Sequence, residues 1–81
     1  MKILVEIPLD DYNVLLAKCA TTDREYEILK NGLITPYADG DDSSHTVVVL
    51  CAEADAGLLL ELTRKTDPEA LERMRQYAAA D

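Results

Sequence analysis

Residues 36–52 read Pro36-Tyr-Ala-Asp-Gly-Asp-Asp-Ser-Ser-His45-Thr-Val-Val-Val-Leu50-Cys-Ala52. The second half, Thr46 to Cys51, is the most apolar and β-branched run of the chain and predicts a strand. It lacks polar alternation, so the strand is expected to be central in its sheet or covered on both faces. The first half, Ala38 to His45, is an acidic, small-residue loop, long enough to close a hairpin with the short apolar run 33–37. Pro36 suits an edge strand there, where a missing N–H matters least.

Working back toward the N-terminus, Lys2 to Ile7 alternates as a strand, with Ile3, Val5 and Ile7 on one face and Lys2, Leu4 and Glu6 on the other. Pro8 ends it and can open a helix, and Asp10 and Asp11 favour the helix N-terminus. Tyr12, Cys19 and Tyr26 stand seven apart, with Leu15, Leu16 and Leu29 beside them, an apolar stripe at helical spacing. Thr22-Asp23-Arg24-Glu25 fits a capping box and could restart the helix. The stripe keeps its phase across it, however, so one helix to about Lys30 is expected. Asn31-Gly32 ends it, with Gly32 available for a left-handed cap.

Beyond the strong strand, Glu53 to Lys65 predicts a helix with Leu58, Leu59 and Leu62 inward. Asp67-Pro68-Glu69 reads as an N-cap and first turn, and Leu71, Met74, Tyr77 and Ala78 give a last helix its apolar face. The order β-α-β-β-α-α predicts one α+β domain over residues 1–81, a two- to three-stranded sheet packed on one face by helices. Eighty-one residues bury a modest core, so association with a partner or a second copy is a natural source of stability.

The net charge is −8 and is unevenly spread: −2 over residues 1–32, −5 over 33–57, where no base occurs, and −1 over 58–81. Direct binding to nucleic acid or to an anionic membrane needs clustered Lys and Arg and is not expected. No apolar run reaches transmembrane length, and the N-terminus reads as a strand without a secretory apolar segment, so a cytoplasmic protein is expected. Cys19 and Cys51 fall within apolar patterns and lack metal or redox spacing; they are expected to be reduced and buried.

No stretch carries a catalytic signature. Asp39-Gly40-Asp41-Asp42 with Ser43, Ser44 and His45 is the densest polar cluster. It is rich enough in oxygen to suggest Ca²⁺ or Mg²⁺, yet it lacks the spacing and later Glu of an EF-hand. Ser44 and His45 are adjacent, so on a strand they point to opposite faces, and no nucleophile elbow is present. No phosphate-binding glycine pattern occurs. The expectation is therefore no catalytic residue, no metal and no cofactor. What remains is an acidic face formed by Asp39, Asp41, Asp42, Glu53 and Asp55. Such a face suits a larger protein with a basic or nucleic-acid-binding surface, because regularly placed carboxylates can imitate a phosphate track.

The segment Ile7-Pro8-Leu9-Asp10-Asp11-Tyr12-Asn13-Val14-Leu15-Leu16, after a strand and before a polar helix ending in Lys30-Asn31-Gly32, resembles many short phage-encoded proteins. Small size, strong acidity and the lack of an active-site motif also resemble phage anti-defence proteins, including anti-CRISPR inhibitors. These are unrelated folds, so the resemblance carries over no functional residue. It implies a non-enzymatic inhibitor or regulator of a host nucleic-acid-targeting complex, acting in the host cytoplasm. Two alternatives stand beside it: a structural or accessory protein that forms a homo-oligomer such as a homodimer, and a divalent-cation-binding protein using residues 39–45.

Overall fold

In the computed structural model, which describes residues 1–36 and 45–79, the apolar run forms strand β3, His45–Ala52, with strand neighbours on both sides. One neighbour is β2, Leu33–Pro36, an edge strand, as its proline predicts. The other is β1, Lys2–Pro8, antiparallel in a register that sets Leu4 opposite Leu50 and Val5 opposite Val49. On the far side of β1 lies β4, Arg75–Ala79, again antiparallel, with Tyr77 opposite Leu4. The sheet order β2-β3-β1-β4 is fully antiparallel, and β1 and β2 are parallel to each other with β3 between them. This is the split β-α-β topology of ferredoxin-like sheets, an α+β fold.

The helices cover one face. Val5 and Ile7 of β1 and Val47 and Val49 of β3 are fully buried beneath them, as the alternation of β1 predicts. Helix α1, Leu9–Lys18, begins at Pro8, whose φ of −54° and ψ of 141° turn the chain out of the strand. No side chain caps it, and Asp10 and Asp11 supply the favourable first-turn charge. Burial of Leu15, Leu29 and Leu59 contributes about 1.5–3 kcal/mol each.

The single helix expected to Lys30 is two helices. The chain leaves α1 at Cys19 in extended conformation and re-enters at α2, Arg24–Leu29, with Asp23 as N-cap. The reason is local: the Asp23 carboxylate accepts the Ala20 N–H at 2.9 Å, and the Asp23 N–H bonds the Ala20 carbonyl at 2.9 Å. Asp competes with the helix for backbone groups, and Thr21 and Thr22 weaken it further. Tyr12 then joins the two helices, its hydroxyl donating to the Leu29 carbonyl at 2.6 Å. Gly32 is required by closeness rather than by a left-handed cap: a Cβ there would lie 2.5 Å from Val47 Cγ1.

Helix α3, Glu53–Thr66, is rotated from the expected phase. Its buried residues are Ala56, Leu59 and Thr63; Leu62 is half-buried and Leu58 is exposed. Thr63 can face the core because its hydroxyl donates to the Leu59 carbonyl one turn back, at 2.7 Å.

The expected last helix is also corrected. Asp67 closes α3 instead of opening a long helix, and α4 is one turn, Ala70–Arg73. At Met74 (φ −86°, ψ 150°) the backbone becomes extended and enters β4. A strand here satisfies the outer edge of β1 over Lys2 to Glu6, which local propensity cannot sense. The sheet thus has four strands where two or three were expected.

Candidate interaction surfaces

Among the described residues, the sheet face away from the helices is open from the Lys2 row to the Glu6 row, and the register maps it; at its far end the Thr35–Thr46–Pro8 row is closed, Thr46 being buried. One row across the strands holds Leu50, Leu4 and Tyr77; the next holds Leu33, Val48, Glu6 and Arg75; Ala52, Lys2 and Ala79 lie on the opposite side of the first. Leu33 is 70% exposed, Leu50 56% and Tyr77 44%, while Leu4 and Val48 are half-buried. A contiguous apolar patch of this kind, rimmed by charge, is the ordinary mark of an interaction surface. The sequence hid it: the unbroken apolar run of β3 does not say which of its residues face the helices, and Leu4 lies between Lys2 and Glu6 on the side read as polar.

Asp39, Asp41 and Asp42 lie outside the described residues, as do Ser43 and Ser44. The segment that carries them leaves the sheet at Pro36 and returns at exposed His45. Glu53 and Asp55 follow β3 at its other end, about 23 Å away along an eight-residue strand. There they share the first turn of α3. Glu53 is exposed, whereas Asp55 is engaged: both its oxygens accept from Arg24, at 2.9 and 3.4 Å. This bridge joins α2 to α3, and the Asp55 carboxylate raises the pKa of Arg24.

A second bidentate pair closes the other side of the helical layer. Arg73 donates to both oxygens of Asp11 at 2.9 Å and to Asp67 at 3.3 Å, tying the end of α4 to the start of α1. Arg64 pairs with Glu61 on α3. With these acids committed, Glu6, Asp10, Asp23, Glu25, Glu53, Glu69 and Glu72 stand without an ion pair among the described residues. All but Glu6 belong to the helices or their caps, and Glu6 is the one acid of the sheet among the described residues.

A cleft of about 500 Å³ opens where β2 stops short of the end of β3. Lys2, Arg24 and Lys30 line it together with Glu27 and Asp55, with Leu50 and Ile28 as apolar wall. Arg24 bridges both acids, at 3.4 Å to Glu27, while Lys2 and Lys30 make no ion pair with another described residue. Cys51, also on the cleft, is buried, and burial with the neighbouring Asp55 raises its thiol pKa against the opposing effect of Lys2. Burial likewise raises Cys19, helped by Asp23 and Glu25, and its thiol donates to the Leu15 carbonyl at 3.3 Å. Neither thiol has the electropositive setting that makes a thiolate nucleophile. Among the described residues no group of three His, Cys, Asp or Glu side chains could hold a metal ion, and no helix is long and apolar enough to cross a membrane. No protein-family model, curated protein or solved structure matches the chain.

Proposed function

We propose that this chain is a non-enzymatic binding protein whose acidic helical side engages a basic surface on a larger protein and so inhibits or regulates it. The observation that carries the reading is the segregation of charge. Apart from Glu6, the acids without an ion pair among the described residues sit on the helical layer, and three of that layer's arginines, Arg24, Arg64 and Arg73, are consumed in bridges within it. Carboxylates held on a rigid helical scaffold speed encounter with a cationic groove and orient it. A groove that binds nucleic acid is the surface they match best, and Asp39, Asp41 and Asp42 would add to the same field. Blocking such a groove in a host defence complex is the most specific form of the proposal.

The test is affinity capture of partners at low and at high salt, followed by calorimetry on the captured protein. Replacement of Asp10, Glu53, Glu69 and Glu72 by their amides should weaken binding about tenfold or more at low salt and flatten its salt dependence. Binding that ignores both salt and these four replacements would refute the acidic-surface reading.

A further inference from the structure

On the open part of the sheet face, Lys2 and Glu6 flank the Leu50–Leu4–Tyr77 row. Lys2 and Glu6 stand on the same strand, each two residues from Leu4, on the same side of the sheet. A half-turn about an axis lying along the Leu50–Leu4–Tyr77 row therefore exchanges their places. If a second copy is laid face to face by that operation, Leu4, Leu50 and Tyr77 meet their own counterparts, and Lys2 of each copy lies over Glu6 of the other. Two sheets stack about 10 Å apart with aligned strands, a gap that a lysine and a glutamate reaching toward each other can span. We propose that two copies of this chain pair through this face, isologously, with reciprocal Lys2–Glu6 contacts flanking an apolar centre.

Charge favours a second copy as occupant. A chain of net charge −8 repels itself through most of its surface. Among the described residues the open face carries one acid, Glu6, beside Lys2 and Arg75, so these residues add no excess of negative charge to the contact. Pairing here turns both helical layers outward and keeps their acids far apart. The size is adequate though small. Four strands by about six residues make a plane of about 400 Å², or roughly 600 Å² of accessible surface per copy, which reaches the lower end of specific interfaces. A dimer of micromolar rather than nanomolar strength is expected.

The experiment is sedimentation equilibrium of the full chain across concentration, with circular dichroism as a check on folding. The mass should rise from 9.0 kDa toward twice that value. Leu50→Lys should weaken association at least about tenfold while leaving the monomer folded, because Leu50 is exposed. Lys2→Glu and Glu6→Lys should each weaken it about tenfold, and the double swap should restore it to within about threefold. A monomer at all concentrations would overturn the proposal. So would a dimer indifferent to Leu50→Lys, or a double swap no better than the single changes. A monomer whose Leu50→Lys form loses a different partner would assign the face to that partner and likewise reject the second copy. The acidic-surface reading fails separately, since the four amide replacements on the helical side leave this dimer intact.

Discussion

Replacing Gly32 by alanine tests the tightest packing in the molecule. The added methyl would sit 2.5 Å from Val47 Cγ1, 3.1 Å from the Leu29 carbonyl oxygen and 3.3 Å from Tyr12 Cε1, where ordinary contact begins at 3.4 Å. Little around it can yield. Val47 is fully buried in the central strand, and the Tyr12 ring is held by its hydrogen bond to that same Leu29 carbonyl. Taking up nearly an ångström in such a core costs about 1–3 kcal/mol. For a domain this small, each kcal/mol lowers the melting temperature by about 4–8 °C. Gly57 is the internal control. It lies in α3, a Cβ there meets nothing within 4 Å, and Gly57→Ala should stabilise by about 0.5–1 kcal/mol. Urea unfolding followed by circular dichroism measures both. In a Val47→Ala background the clash partner is gone, so Gly32→Ala should then cost less than about 0.5 kcal/mol, a coupling between neighbours of about 1–2 kcal/mol. A Gly32→Ala cost below about 0.5 kcal/mol in the parent chain, or one unchanged by Val47→Ala, would refute the reasoning.

Tyr12→Phe removes the hydroxyl donor from the buried Leu29 carbonyl, which keeps the Gly32 N–H at 2.9 Å, and should destabilise by about 0.5–1.5 kcal/mol in the same urea assay. Burial, with Tyr26 nearby, raises the Tyr12 pKa, so the folded state holds that proton more tightly than the unfolded chain does. Its contribution is complete below the unfolded value near 10 and is lost as pH climbs through the higher folded value; melting curves from pH 8 to 11 should fall less steeply in Tyr12→Phe than in the parent. Cys51 should react with a thiol reagent at pH 8 far more slowly than a free thiol, at a rate that rises with urea in step with unfolding; fast modification of the folded chain would contradict its burial. Ala78→Thr should be neutral or stabilising by a few tenths of a kcal/mol if residue 78 belongs to a strand, and destabilising by a similar amount if it were helical, so the sign of the change in urea midpoint reports on β4.

Much of the fold was legible in the chain itself. The alternation Ile3, Val5, Ile7 decides which side of β1 is core, and the run Val47 to Cys51 marks the central strand. Pro8 marks the turn from strand into helix, and Pro36 marks an edge. These are local statements, because side-chain period and proline geometry act within a few residues. The −8 charge and the missing motifs are likewise readable without a structure, and they limit function to classes rather than naming one.

Where the expectation failed, one local side-chain contact and several contacts distant in sequence decided. An apolar stripe that keeps its phase across residues 19–23 predicts a continuous helix, yet the Asp23 carboxylate takes the backbone there and makes two helices. Residues 75–79 have no strong strand preference; they extend because the far edge of β1 offers backbone partners. The same pairing sets Tyr77 beside Leu4 and Leu50, and thereby creates the apolar sheet face. Arg24 lies 31 residues from Asp55, and Arg73 lies 62 from Asp11, so no window of sequence shows which acids are neutralised. By itself the sequence determined the apolar periods, the breakers and the total charge. Only the tertiary structure decided which acids remain unpaired and which face is left open, because both depend on which distant elements fold against one another.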